Sequence, residues 1–205
     1  ESVQKGGAAL LREFRAAKLI VSYHDFHKTP ALGATYRRLA RLPVQVVKIA
    51  THARHLRDNL QIRRLLKANR RRAPRLVALA MGAAGMPSRL LSLHWGSAFT
   101  YAAPFNHSPA AAGQIPAEVM RSVYRVDRLD SGTQLYGVLG SHASISLSPA
   151  MQNAAFQAKH VSAVFLPCQT HQLSDFLTFA RELELQGFAV TMPYKRAILR
   201  ALDWV

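Results

Sequence analysis

Apolar positions recur along the chain with two alternating periods. Ala8, Leu10, Leu11, Phe14 and Ala17 repeat at three and four residues, which predicts a helix over residues 7–17. Residues 18–22 (KLIVS) form a short β-rich run. A helix is expected from Thr29-Pro30, with Leu32, Tyr36, Leu39 and Leu42 on one face. Residues 44–50 (VQVVKIA) read as a buried strand, and Thr51 as the cap of a long helix reaching Asn69. Further strands are predicted at 75–81 (RLVALAM) and 98–103 (AFTYAA), with a helix at 116–124. After the polar stretch 127–134 (DRLDSGTQ) the alternation restarts: strand 135–139, a helix opening at Ser148-Pro149, strand 163–166, helix 171–185, strand 188–192 and a last helix from Tyr194. Strands alternating with helices predict parallel β/α units. The expected organisation is a first region over 1–126, a linker over 127–134 and a second region over 135–205.

Composition narrows the class. With 49% hydrophobic residues in 205, a sizeable core can form and disorder is excluded as the main state. One cysteine, Cys168, excludes a disulfide scaffold. No apolar run approaches the ~20 residues of a membrane helix, and no leader pattern follows Glu1, so a cytoplasmic protein, or a piece of one, is expected. Charge is uneven. Residues 1–130 hold 22 Lys+Arg against 7 Asp+Glu, whereas 131–205 hold 5 against 4. Much of the excess lies in Arg63, Arg64, Lys67, Arg70, Arg71, Arg72 and Arg75. Such a run reads either as a nucleic-acid patch or as a solvated helix face. The aromatic interleaving that single-strand binding favours is missing, so nucleic acid is not the expected partner. His52 and His55, three apart on the predicted helix, could ligate a metal, but no Cys or carboxylate cluster completes a site.

One group of motifs lies in the first region: residues 22–30 (SYHDFHKTP), Val47-Lys48-Ile49-Ala50, Met81-Gly82, Ser88-Arg89-Leu90 and Gly113-Gln114. His24 follows one strand and Lys48 lies in the next, so the two strands are expected to be neighbours. Burial among Val46, Val47 and Ile49 should lower the pKa of Lys48. A neutral amine beside an imidazole can form a Schiff base and shuttle protons. The same spacing also fits a lysine that snorkels from a strand end beside a core histidine.

These motifs, in this order, resemble type I 3-dehydroquinate dehydratase, over roughly residues 1–125. The resemblance implies the C-terminal part of a (β/α)8 barrel. It makes Lys48 the Schiff-base lysine and His24 the general acid/base, with no cofactor. Arg89 would grip the substrate carboxylate, Gln114 the substrate hydroxyls, Met81 would line the pocket, and His27 would be structural. Ala110 stands where the family carries a serine, and the family's first four strands have no counterpart in the chain.

The second region carries residues 136–140 (YGVLG), 146–151 (SLSPAM) and 190–195 (VTMPYK). Ser146 and Ser148 precede a helix start, where hydroxyls and free backbone N–H groups suit a carboxylate, although Ser148 also reads as a plain N-cap. Lys195 is a strand-end amine or an ordinary surface lysine. This region resembles the N-terminal, α/β substrate-binding domain of shikimate dehydrogenase. The resemblance implies Ser146 and Ser148 on the shikimate carboxylate, Thr191 on a hydroxyl and Lys195 as the catalytic lysine. Ile145 and Ala189 stand where the family has His and Asn. NADPH would be the cofactor of this half, bound by a domain for which the chain has no dinucleotide fingerprint.

The order of the two resembles the fused bifunctional enzyme of the shikimate pathway. It implies dehydration of 3-dehydroquinate to 3-dehydroshikimate, then reduction to shikimate, with these small molecules as partners. The alternative is a non-catalytic module that retains both signatures. Open strand edges and apolar faces make self-association an expectation.

Overall fold

The computed structural model describes residues 18–104 and 113–201. The helix expected over 7–17 lies outside them. Two three-stranded parallel sheets organise the chain. In the first, β1 (Ile20–Asp25), β2 (Val46–His52) and β3 (Arg75–Met81) pair in sequence order. In the second, β4 (Gln134–Gly140) is central, between β5 (Ala163–Gln169) and β6 (Gly187–Val190). The helices are α1 (Gly33–Leu39), α2 (Asp58–Asn69), α3 (Met86–Trp95), α4 (Ala117–Ser122), α5 (Ser148–Ala158) and α6 (Leu173–Leu183). No helix among the described residues is long and apolar enough to cross a membrane.

The α/β alternation is as expected, and β3 matches its predicted span. Its run RLVALAM is buried on both faces beyond Arg75, as parallel strands between two layers are. Other elements differ. Thr51 does not cap a helix: it is buried inside β2, its hydroxyl 2.8 Å from that of Thr29. Strand β2 runs on to His52, and α2 begins only at Asp58, whose carboxylate accepts the N–H groups of Arg54 and His55. His52 and His55 therefore sit on a strand end and in a turn, not on one helix face. The AFTYAA run is no strand; only Ala103 makes an isolated bridge, to Pro116. Side chains take its carbonyls instead: Arg89 donates to Tyr101 and Gln114 to Ala102. Helix α3, which the periodicity did not announce, starts with Pro87 in its first turn and stops at left-handed Gly96. Among the described residues after Tyr194, a 3₁₀ turn, Ile198–Ala201, stands where a helix is expected, and the N–H and hydroxyl of Tyr194 are engaged by the Thr191 and Thr170 carbonyls.

The two sheets share one core. Val47 and Ile49 of the first, Leu90, Leu91 and Trp95 of α3, and Leu139, Leu166, Phe176 and Phe179 of the second belong to a single apolar cluster. A buried carboxylate stitches the units together. Asp175 of α6 accepts the N–H groups of Leu56 (2.7 Å) and Arg57 (3.0 Å) just before α2, and the hydroxyl of Thr170 (2.8 Å). On the surface nearby, Arg64 clasps Glu182 with two hydrogen bonds, and Arg63 donates to the Glu182 carbonyl. Part of the basic run thus serves as the docking face for the second unit.

Asp175→Ala strands two main-chain donors and is expected to lower unfolding free energy by about 3 kcal/mol. Glu182→Ala breaks a solvent-exposed pair, for at most about 1 kcal/mol. Urea denaturation of both variants checks this; equal losses would contradict the assignment of Asp175 as the principal tie.

Candidate active site

Alternation along the first sheet sorts its residues into two faces. Val47, Ile49, Ala78 and Ala80 face the helices and join the main core. His24, Lys48, Ala50, Leu79 and Met81 face the other way and line a cavity of about 300 Å³. Arg89 from α3, Tyr101, Gln114 and Phe26 complete it. The register aligns Ser22 with Lys48 and His24 with Ala50, so His24 sits two residue pairs nearer the strands' C-terminal ends than Lys48. Ligands of parallel β/α units are held at those ends.

The cavity concentrates positive charge. The Lys48 ammonium stands 4.2 Å from the centre of the Tyr101 ring, a contact that favours the cation. Burial nevertheless lowers its pKa below that of a free lysine, and the nearby Arg89 lowers it further. Arg89 is almost wholly buried, at 2% exposure, and burial brings its pKa down to about 10, so it stays charged at neutral pH. One of its terminal N–H groups donates to the Tyr101 carbonyl at 3.1 Å, while the buried Nε has no partner. Among the described residues no carboxylate forms an ion pair with Lys48 or Arg89. His24 is open to solvent at the mouth and stacks on Phe26 at 5.7 Å. Its pKa is lowered, first by desolvation and then by the Lys48 charge, which favours a neutral imidazole able to accept a proton.

Two glycines set the roof. Gly82, at φ +86°, ends β3, and Gly113, at φ +72°, packs on it so closely that a side chain at Gly113 would strike the Gly82 carbonyl. That contact seats Gln114 over the cavity, its amide donating to Ala102 at 3.0 Å. Beyond the mouth, the His27 main chain is fixed by the Asp25 carboxylate and by Arg54. Ala110 lies outside the described residues. Tyr101 was not singled out by motif; its only sequence signal was an aromatic in a run that read as a strand.

The second set lies at the C-terminal ends of β4 and β6. Ser146 follows a 3₁₀ turn, Ala143–Ile145, and its hydroxyl accepts the N–H of Ser148, the first residue of α5, at 3.2 Å. Thr191, just past β6, donates its N–H to Leu139 of β4, which brings it beside Gly140. Lys195 is exposed four residues on. Ile145 is exposed, at 79%, in the turn before Ser146, and Ala189 is exposed on β6. The YGVLG glycines do not cradle a phosphate. A side chain at Gly140 would collide with the Thr191 methyl, and one at Gly137 with Cys168. Their space is filled by protein, so these two glycines offer no phosphate cradle.

Comparison with known proteins follows the same division. Residues 5–131 match the family Type I 3-dehydroquinase, and residues 138–205 the shikimate dehydrogenase substrate binding domain. The bifunctional 3-dehydroquinate dehydratase/shikimate dehydrogenase of Arabidopsis thaliana is 29% identical over 191 residues, covering 92% of this chain and 31% of that protein. The shikimate dehydrogenase (NADP(+)) of Thermococcus kodakarensis is 43% identical over 76 residues, 36% of this chain and 28% of that one. The crystal structure of 3-dehydroquinate dehydratase from Geobacillus kaustophilus superposes with a TM-score of 0.55 at 29% identity, covering 61% of this chain and 50% of that one. The chain spans about a third of the length of the bifunctional relatives it matches. By the extent of the first match and the order of the two, the chain belongs to the type I 3-dehydroquinase family and continues into the substrate-binding domain of a shikimate dehydrogenase.

Proposed function

We propose that the protein serves two consecutive steps of the shikimate pathway: Schiff-base dehydration of 3-dehydroquinate to 3-dehydroshikimate, and binding of 3-dehydroshikimate for reduction to shikimate. The observation that carries the first step is the cavity holding Lys48, Arg89 and His24, where no carboxylate among the described residues forms an ion pair with either cation. An anionic substrate supplies the missing negative charge. Its carboxylate goes to Arg89, whose buried Nε has a donor to spare. The neutral Lys48 amine attacks the ketone carbon, its two N–H protons leave with the carbonyl oxygen as water, and a proton taken up from solvent converts the imine to an iminium. That cation acidifies the adjacent carbon, from which His24 takes a proton. The ring hydroxyl leaves as a second water, protonated by the same imidazole, and hydrolysis of the imine frees Lys48 with 3-dehydroshikimate. Gln114 and Met81 complete the substrate's surroundings as hydrogen-bond partner and apolar wall.

For the second step, Ser146, Ser148 and Thr191 hold the hydroxylated carboxylate at the strand ends, with Lys195 as the proton-transferring amine. Relatives of this half are named for NADP(+). Hydride transfer needs that nicotinamide positioned over the ring, and no part of it is assigned to the described residues. The expected division places the dehydratase part in residues 1–126, the linker in 127–134 and the substrate-binding part in 135–205.

Borohydride added with 3-dehydroquinate should trap an imine on Lys48, read by peptide mass mapping. Label on another lysine, or none, would leave only a binding module. His24→Ala should keep the imine and slow elimination by ~10²–10⁴-fold. The lowered Lys48 pKa gives a signed pH dependence. Imine formation needs the neutral amine, so the rate rises through the Lys48 pKa. Arg89→Met removes a cation that favours the neutral form, raises that pKa and moves the rise to higher pH. Reductive methylation by formaldehyde, which carries no carboxylate for Arg89, isolates this effect; an unmoved profile would contradict it. Shikimate titrated against the chain should shift the amide resonances of Ser146 and Lys195, and the double variant Ser146→Ala/Ser148→Ala should abolish those shifts.

A further inference from the structure

The Arg89 guanidinium is buried at 2% exposure, and among the described residues no carboxylate forms an ion pair with it. A cation so placed is drawn toward water. A shift in the first turn of α3, which carries it, would let it go. Two residues outside the cavity, both wholly buried, oppose that shift: Asn59 of α2 and Ser88 of α3.

The Asn59 amide nitrogen donates to the carbonyls of Leu56 (2.6 Å) and Ala84 (2.7 Å), and its oxygen accepts the N–H of Ser88 (3.0 Å). The Ser88 hydroxyl accepts the N–H of Ala80 in β3 and donates to the Gly85 carbonyl, both at 2.8 Å. One point thus ties α2, the end of β3 and the start of α3. Asparagine suits it by its chemistry. Its nitrogen faces two carbonyls and its oxygen one N–H, so an aspartate would set oxygen against oxygen and a leucine would leave all three groups unmet. Arg89 is the next residue along α3. Its carbonyl accepts the hydroxyls of Ser92 and Thr100, and its guanidinium donates to the Tyr101 carbonyl.

We propose that Asn59 and Ser88 are positioning residues for Arg89: they fix the first turn of α3 so that the guanidinium stands in the cavity before any anion arrives. This role rests on the reading of Arg89 as the anchor of the substrate carboxylate. A cation held ready spares the binding step the work of ordering it.

The test reads Arg89 itself, without substrate. The Arg89 Nε–H is buried and has no partner, so its side-chain NMR signal, assigned by its loss in Arg89→Met, should exchange slowly with water. Ser88→Ala keeps the Asn59 bond to the N–H of residue 88, and Asn59→Leu keeps the Ala80 bond to Ser88. Each removes one anchor and adds no charge. Each should speed the exchange about tenfold, the worth of one or two net hydrogen bonds. Lys48 shares its cavity with the titratable groups His24, Arg89 and Tyr101, of which these variants release Arg89. Reductive methylation of Lys48 by formaldehyde should therefore move to higher pH in both variants, and no further when either is combined with Arg89→Met. Unchanged exchange in a folded variant, or a Lys48 shift that adds to that of Arg89→Met, would overturn the role. Loss of the fold in both variants, read by circular dichroism, would show that the network holds the fold rather than the arginine, and would overturn it too. Neither readout uses 3-dehydroquinate, so a failed imine trap on Lys48 counts against the dehydration alone.

Discussion

Taking a carboxylate wholly out of water costs several kcal/mol unless donors surround it. Asp175 meets that condition only because two segments distant in sequence converge on it. Its own unit supplies the Thr170 hydroxyl, and the other unit supplies the N–H groups of Leu56 and Arg57. These two amides lie just ahead of α2, where a helix leaves its first donors unsatisfied and where negative charge is favoured. The requirement is mutual: the turn needs an acceptor and the acid needs donors. The apolar cluster running from Ile49 through Trp95 to Phe176 closes around the same contact. The orientation of the two sheets follows from satisfying all of these groups at once.

In the first unit, the governing feature is an unbalanced charge. Two cations are packed on one sheet face with a tyrosine between them, the ring toward Lys48 and the carbonyl toward Arg89. The same residue thus steadies one cation by its π face and the other by its main chain. Among the described residues no carboxylate pairs with Lys48, and one that did would hold it in its charged form. Burial lowers the pKa of Lys48 yet leaves Arg89 charged, so two neighbouring cations are set apart by environment rather than by distance.

Much of this was legible in the chain. The alternation of RLVALAM-type runs with helical stretches gives parallel β/α units because buried parallel strands need no polar face. The motif residues His24, Lys48, Met81, Arg89 and Gln114 do converge on one cavity, since the period of two puts His24, Lys48 and Met81 on the same side of the sheet. What was not legible depends on long-range partners. AFTYAA has strand composition, yet Arg89 and Gln114 take its carbonyls and prevent a ladder. Helix α3 carries buried Ser88, Arg89 and Ser92 among its apolar residues, which blurs the amphipathic pattern. The basic run of α2 gives no hint that Glu182, more than a hundred residues later, is its partner. Asp175 looks like any first-turn acid of a helix until its partners across the junction are seen.

The common core also bears on how the two halves can change over time. A linker that merely tethers two independent domains lets each accumulate substitutions on its own account. Here Leu139, Phe176 and Trp95 pack into one continuous interior, so a cavity opened in either half is paid in the stability of both. The two units therefore behave as a single folding unit, and a substitution in one is screened, through the shared interior, by the stability of the other.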